Sequence, residues 1–267
     1  MLKIKLLGKT IFQFTEGDNT PFRKSLRLGV LGYLIRMGQP ISRKRLSKIF
    51  LPDLPDQDAR TYLRNILARL KNDFTPYLVV TRNSVHFDVS KDCWVDLLEL
   101  EEVLAKFSSM YPAEMTAEDA DNLRTALQLY NGPFLGEFSR QASDWFEEWV
   151  GRERQAILNK TLEGYSKLIH YSIHNQDWKQ GMEDAKMMIS LDQSRQIGWL
   201  LLMKCLASSG DLRRAQEAYE RYERSPSADL QSTSTGREMN LLYRKIGQRI
   251  SGINLNFDND DDSLFLS

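Results

Sequence analysis

Apolar and polar side chains alternate at the start of the chain, with Leu2, Ile4 and Leu6 set against Lys3 and Lys5 and the pattern resuming at Ile11 to Phe14 after Gly8-Lys9-Thr10. A period of two predicts a β-hairpin or small sheet. The period becomes helical over residues 23–37, where Leu26, Val30, Leu31, Leu34 and Ile35 recur on one face before Gly38. Ser42 is placed to cap a short helix through Phe50, with Leu46 and Ile49 inward, and Pro52 and Pro55 then interrupt the chain. A third helix is predicted over residues 58–73. Leu78 to Thr81 and Ser84 to Phe87, separated by Arg82-Asn83, predict a second hairpin.

From Trp94 onward the pattern is helical almost throughout, with helices predicted at about 96–108, 117–130, 143–175, 177–190, 195–208, 212–224 and 236–250. Within this half a 34-residue repeat aligns Tyr165 with Trp199, Leu168 with Leu202, Asp177 with Asp211, Gly181 with Ala215 and Glu183 with Glu217. That is the tetratricopeptide period, and small residues at 181 and 215 suit close helix contacts. The expected fold is an α+β N-terminal winged helix, residues 1–93, followed by an all-α tetratricopeptide-like domain, residues 94–250. Residues 251–267 form an acidic tail expected to be disordered, with Asp258, Asp260, Asp261 and Asp262.

Charge sharpens this division. The 36 Lys/Arg and 36 Asp/Glu cancel overall. Residues 1–95 nevertheless hold 17 basic against 8 acidic side chains, and the remainder holds 19 against 28. A basic first half points to a polyanionic partner. No apolar run reaches the ~18 residues a membrane span needs, and the N-terminus lacks a signal-peptide stretch. Cys93 and Cys205 lie far apart without metal-ligand spacing, as expected of a cytoplasmic protein.

The third helix carries the chemistry. Ala59, Leu63, Ile66, Leu67 and Leu70 cover the face that must meet the core. Thr61, Arg64, Asn65, Ala68 and Asn72 lie opposite, flanked by Arg60 and Lys71. Arg and Asn can make bidentate contacts with guanine and adenine edges, and a helix fits the major groove of double-stranded DNA. Arg60, Thr61, Arg64, Asn65 and Ala68 are therefore candidate base readers. Lys71, Arg43, Lys44 and Lys48 are candidate phosphate anchors, and Arg82 and Asn83 form a candidate wing tip.

Several motifs then resemble one family in order. Pro21-Phe22-Arg23-Lys24-Ser25-Leu26 and Pro40-Ile41-Ser42-Arg43-Lys44-Arg45-Leu46 resemble the first two helices of an OmpR-type winged helix. The run from Ala59 to Lys71 resembles its recognition helix, and Leu78 to Phe87 its wing. Trp94-Val95-Asp96, Leu129-Tyr130-Asn131-Gly132-Pro133-Phe134-Leu135, Trp149 to Arg154 and Met203 to Gly210 resemble a bacterial transcriptional activator domain. The combination is that of SARP-type activators and covers roughly residues 1–250. The resemblance implies transcription regulation through direct repeats near promoters, self-association on DNA and contact with RNA polymerase. Leu51 stands where such sequences often carry Trp, and Ala228 to Gln231 replaces an acidic-Leu-Gly turn, which predicts different packing of the last helix pair.

Other signals weigh less. Gly8-Lys9-Thr10 resembles the end of a P-loop, but Lys3 occupies the first glycine position and no helix is predicted to follow. His170 and His174 share a helix face without further ligands nearby, so no metal is expected. Glu147 and Glu148 are adjacent on a helix and point about 100° apart, unlike a catalytic pair. Trp145 and Trp149 read as core. Three histidines and no nucleophile motif argue against an enzyme, and no cofactor is expected. The alternative is a signalling scaffold whose winged helix and repeats bind protein, or the N-terminal part of a longer signalling protein.

Overall fold

The computed structural model describes residues 1–14, 26–138 and 142–251. The start of the first helix at 23, the motif residues 21–25 and the acidic tail beyond Ser251 lie outside the described residues. The chain forms two compact units, each discontinuous in sequence: residues 1–102 with 128–158, and residues 103–127 with the chain from Asn159 onward.

The first unit begins with strands β1 (Leu2–Lys5) and β2 (Ile11–Phe14), which pair antiparallel with Leu2 opposite Phe14. Helix α1 (Leu26–Met37) follows, then strand β3 (Ile41–Ser42) and helices α2 (Arg43–Phe50) and α3 (Asp56–Asp73). Strands β4 (Leu78–Val80) and β5 (Ser84–Phe87) form the second hairpin, and β6 (Cys93–Val95) returns to pair parallel with β1. The two small sheets have strand orders β2-β1-β6 and β3-β5-β4. The hydropathy pattern locates both hairpins. It does not reveal β3 or β6, whose two or three residues are too short to show a period.

Helix α1 is buried on every side from Leu28 to Ile35, so it must receive neighbours all round. On one side lie α2, α3 and β5. On another, Leu135, Phe138 and Phe146 pack against two helix glycines. A methyl group on Gly29 would stand 2.8 Å from Phe138 and 3.2 Å from Phe146, and one on Gly32 would stand 2.7 Å from Leu135. Tyr33, next to Gly32, is ringed by Phe50, Phe146 and Trp149, with centroids 5.9, 6.1 and 4.9 Å away. This contact joins residues 128–158 to the first unit.

Polar ties fix the same arrangement. The buried Asp96 carboxylate accepts from the backbone N–H groups of Leu6, Leu7 and Leu97 at 2.8, 3.1 and 2.8 Å. Burial raises the pKa of that carboxyl against the pull of these donors. Arg36 donates to Glu101 at 2.5 Å and to Glu153 at 2.7 Å. Arg154 donates to the Phe134 and Leu135 carbonyls at 2.7 Å each, holding Leu135 in a left-handed conformation with φ of 50°.

The second unit is helical. It contains the C-terminal part of α4 (Asp96–Phe107), α5 (Ala117–Leu127), the C-terminal part of α6 (Asp144–His174), α7 (Trp178–Leu191), α8 (Gln196–Ser208), α9 (Leu212–Glu223) and α10 (Ser234–Ile250). The 34-residue repeat holds at atomic detail. Asp177 caps α7 by accepting from the Gln180 N–H, and Asp211 caps α9 by accepting from the Arg214 N–H. Gln176 and Gly210, one residue earlier in each repeat, both take positive φ, 57° and 87°. A methyl on Gly181 would meet the Cys205 Sγ at 2.9 Å, and Ala215 is fully buried. The last pair, α9 and α10, packs through stacked Tyr219 and Tyr243, 4.2 Å apart, and a Lys204–Glu238 ion pair at 3.0 Å ties α8 to α10.

The α1 contact generates a test. Helix propensity alone predicts that Gly32→Ala stabilises the protein by about 1 kcal/mol. The 2.7 Å clash with Leu135 reverses the sign, for a net loss of about 1–3 kcal/mol in urea unfolding. Adding Leu135→Ala relieves the clash, so the loss in the double variant falls short of the sum of the two single losses.

Candidate nucleic-acid interface

Helix α3 runs for 18 residues, about 27 Å at 1.5 Å per residue. Asp56 and Asp58 occupy its first turn, where carboxylates favour the helix dipole, and no side chain caps its start at Pro55. Its buried residues are Ala59, Leu63, Ile66, Leu67 and Leu70, the face that the sequence pattern assigns to the core. Arg60, Thr61, Arg64, Asn65, Ala68 and Lys71 are all exposed.

Arg60 lies 3.6 Å from Asp56, with both side chains largely in solvent, so the pair is weak and exchangeable. The Thr61 hydroxyl donates back to the Gln57 carbonyl at 3.0 Å. No described carboxylate lies within ion-pair distance of Arg64 or Lys71. Tyr62, exposed by half, and Arg69 flank the same helix on its other edge. Sequence reading passed over both because they fall between the core face and the face opposite it.

Helix α2 packs against α3. The Ser42 hydroxyl caps it by accepting from the Arg45 N–H at 3.2 Å. Lys44, Arg45 and Lys48 are exposed and Arg43 half-buried, whereas Leu46, Ser47, Ile49 and Phe50 are buried. Arg45 joins this basic surface although its neighbours alone were singled out from the sequence. Lys44, Lys48, Leu54 and Arg60 line a groove of about 210 Å³ where α2 meets α3.

The β4–β5 hairpin turns through Thr81, Arg82 and Asn83, and Arg82 and Asn83 are exposed at its tip. The Thr81 hydroxyl accepts from the N–H groups of Asn83 and Ser84 at 3.3 and 2.9 Å. The Asn83 carbonyl accepts from the Arg43 N–H at 2.9 Å, and Ser42 pairs with Ser84 across β3 and β5. The hairpin tip and the start of α2 are thus hydrogen-bonded to each other. All eleven candidate residues, from Arg43 to Asn83, belong to the first compact unit.

The signals given less weight also find places. Trp149 is buried, but Trp145, expected beside it in the core, is 42% exposed. It sits in the first turn of α6 beside Asp144, Glu147 and Glu148, in T-shaped contact with Tyr33 at a centroid distance of 6.3 Å. Burial and the neighbouring Lys204 charge lower the His170 pKa. Among the described residues no three His, Cys, Asp or Glu side chains are grouped to hold a metal ion. Burial pushes the Cys205 thiol up to about 12 and the Cys93 thiol up to about 11, so both stay protonated at neutral pH.

Taken together, a small α+β unit with an exposed basic helix and a chain of helix pairs with a 34-residue repeat define a two-part protein built largely on helical repeats. Residues 95–247 match the family described as Bacterial transcriptional activator domain. This is more than half of the chain, which belongs to that family and is a transcriptional regulator of the SARP type. The family is one of transcriptional activators rather than enzymes. Among solved structures, Mycobacterium tuberculosis EmbR in complex with low affinity phosphopeptide is similar in fold, with a TM-score of 0.66 and 16% identity. The likeness covers 98% of this chain and 68% of the EmbR chain. No curated protein matches the chain by sequence. Among the described residues no helix is long and apolar enough to cross a membrane.

The turn geometry is open to direct measurement. Thr81→Val removes the acceptor of two backbone N–H groups, for an expected loss of about 1 kcal/mol of local stability. Amide hydrogen exchange should quicken at Asn83 and Ser84 while the α3 core amides Leu63 and Leu67 keep their protection. Unchanged exchange at the turn would show that Thr81 does not hold it.

Proposed function

We propose that the first unit is a winged helix that binds double-stranded DNA with sequence specificity, α3 being its recognition helix. The observation that carries this reading is the exposed row Arg60, Thr61, Arg64, Asn65 and Ala68 on a helix whose opposite face is core. Arg64 and Asn65 supply the bidentate donors suited to guanine and adenine, and Ala68 lets the backbone approach a base edge. Lys71, Arg43, Lys44 and Lys48 anchor phosphates, and Arg82 and Asn83 reach an adjacent groove from the hairpin tip. Each phosphate contact releases counterions, so binding weakens steeply with salt.

Membership in an activator family supports the rest of the proposal. The helical repeats provide the surfaces for self-association on direct repeats and for contact with RNA polymerase, in the cytoplasm. One recognition helix reads few base pairs, and pairing two copies on adjacent sites raises both affinity and selectivity through effective concentration. Selection of bound fragments from the source genome, followed by sequencing, supplies the site on which these claims are tested.

On that site Arg64→Ala is expected to lose roughly 1–3 kcal/mol of binding, with a smaller loss on random DNA. Equal losses on both would make Arg64 a phosphate anchor rather than a reader. Spacing tests the assembly. Inserting about five base pairs between half-sites turns one copy to the far side of the duplex and abolishes cooperativity, while a full turn of ~10.5 base pairs restores part of it. Binding indifferent to both insertions would mean independent monomers.

A further inference from the structure

Helix α2 is a basic ridge with a groove on each side. On the α3 side the small groove includes a carboxylate, Asp56, beside Arg60. On the other side lies a larger groove of about 580 Å³ within the first unit. Its rim holds Lys44, Arg45 and Lys48, and its apolar lining includes Ile49, Pro52 and the exposed ring of Trp145. Lys44, Lys48 and Pro52 border both grooves, and Arg45, Ile49 and Trp145 belong to the larger one alone. No carboxylate lines the larger groove, and no described carboxylate lies within ion-pair distance of its three cations.

Cations around an apolar floor select an acidic segment with aromatic or aliphatic anchors. A bare phosphate backbone would leave Trp145, Ile49 and Pro52 unused. The chain itself contains such a segment: Asp258, Asp260, Asp261 and Asp262 lie between Phe257 on one side and Leu264-Phe265-Leu266 on the other, with no Lys or Arg from Gly252 to Ser267. We infer that the groove lined by Lys44, Arg45, Lys48 and Trp145 receives the chain's own acidic C-terminal segment, which thereby competes with DNA. The carboxylates neutralise the rim while Phe257 or Phe265 covers Trp145. The competition rests on the DNA-binding reading above: Lys44 and Lys48 serve both anions and cannot neutralise both at once. Chain attachment raises the effective concentration of the segment, so a weak contact suffices.

The test uses a labelled peptide of residues 252–267 and the chain ending at Ser251, at about 50 mM salt where exposed charges still act over distance. Anisotropy should show saturable binding that is lost when the four aspartates are replaced by Asn. Arg45→Gln is expected to weaken peptide binding roughly threefold to tenfold, and Trp145→Ala about tenfold or more. Trp145→Ala should leave the DNA affinity of the chain ending at Ser251 unchanged. The full chain should bind DNA several-fold more weakly than the chain ending at Ser251, and the four-Asn full chain should match the shorter one.

A peptide that does not bind, or that binds both groove variants as tightly as the parent, overturns the inference. So does weakened DNA binding in Trp145→Ala with unchanged peptide binding, which would make the groove part of the DNA surface. A peptide that binds while DNA affinity is the same with and without the segment overturns the competition. The peptide titration contains no DNA, so failure of the chain to bind any DNA would refute the functional reading separately.

Discussion

The approach of Leu135, Phe138 and Phe146 to the backbone of α1 is the constraint on which the first unit depends. Gly29 and Gly32 remove the side chains that would hold Leu135, Phe138 and Phe146 away. Each glycine costs about 1 kcal/mol of helix propensity, which burial of the aromatic cluster around Tyr33 offsets. The cost extends to the other partner, because Leu135 is held in a left-handed conformation that leucine rarely adopts. Two hydrogen bonds from Arg154 and one from the Leu135 N–H to the Leu6 carbonyl hold it there. With α1 fixed from this side, α2 and α3 can turn their polar faces outward on a core that does not shift.

Much of this was legible in the sequence wherever a period is long enough to read. The core face of α3 follows from the spacing of Ala59, Leu63, Ile66, Leu67 and Leu70, and its exposed face follows as the complement. The repeat was legible for a similar reason: Asp177 and Asp211 align because each performs the same cap. What the sequence hid is non-local. Nothing in Gly29 or Gly32 says that a segment a hundred residues away fills the space beside them, and the matching motif at Leu129 to Leu135 marks a resemblance without naming its partner. Trp145 was misleading because an aromatic four residues from a buried one shares its helix face, yet the first turn of a helix can still stand at the edge of a core. The exposure of the site residues on α3 follows from the same spacing, whereas contact with a ligand depends on the shape of the partner, which no period encodes.

Charge placement divides labour within α2. Its buried side, Leu46, Ile49 and Phe50, fastens it to the core, and its exposed cations line two grooves of unlike character. Salt affects these surfaces unequally. Contacts to a polyanion weaken by counterion release, whereas an apolar floor such as Ile49, Pro52 and Trp145 keeps its share of any contact as ionic strength rises.

The discontinuity of the first unit bears on how the protein is made. Leu6 meets Asp96 across 90 residues and Arg36 meets Glu153 across 117, so the unit is closed by contacts far apart in the chain. On the ribosome, the exposed basic helix therefore emerges long before the segment that completes its core. Until Trp149 is synthesised, the cluster that covers the glycine face of α1 is incomplete, and the nascent chain carries that apolar surface in the open. Such stretches are where chaperones bind and where aggregation starts. Gene fusions that join a new regulatory half immediately after residue 95 would inherit that exposed surface permanently, whereas a join after α6 ends at His174 would keep the covering segment.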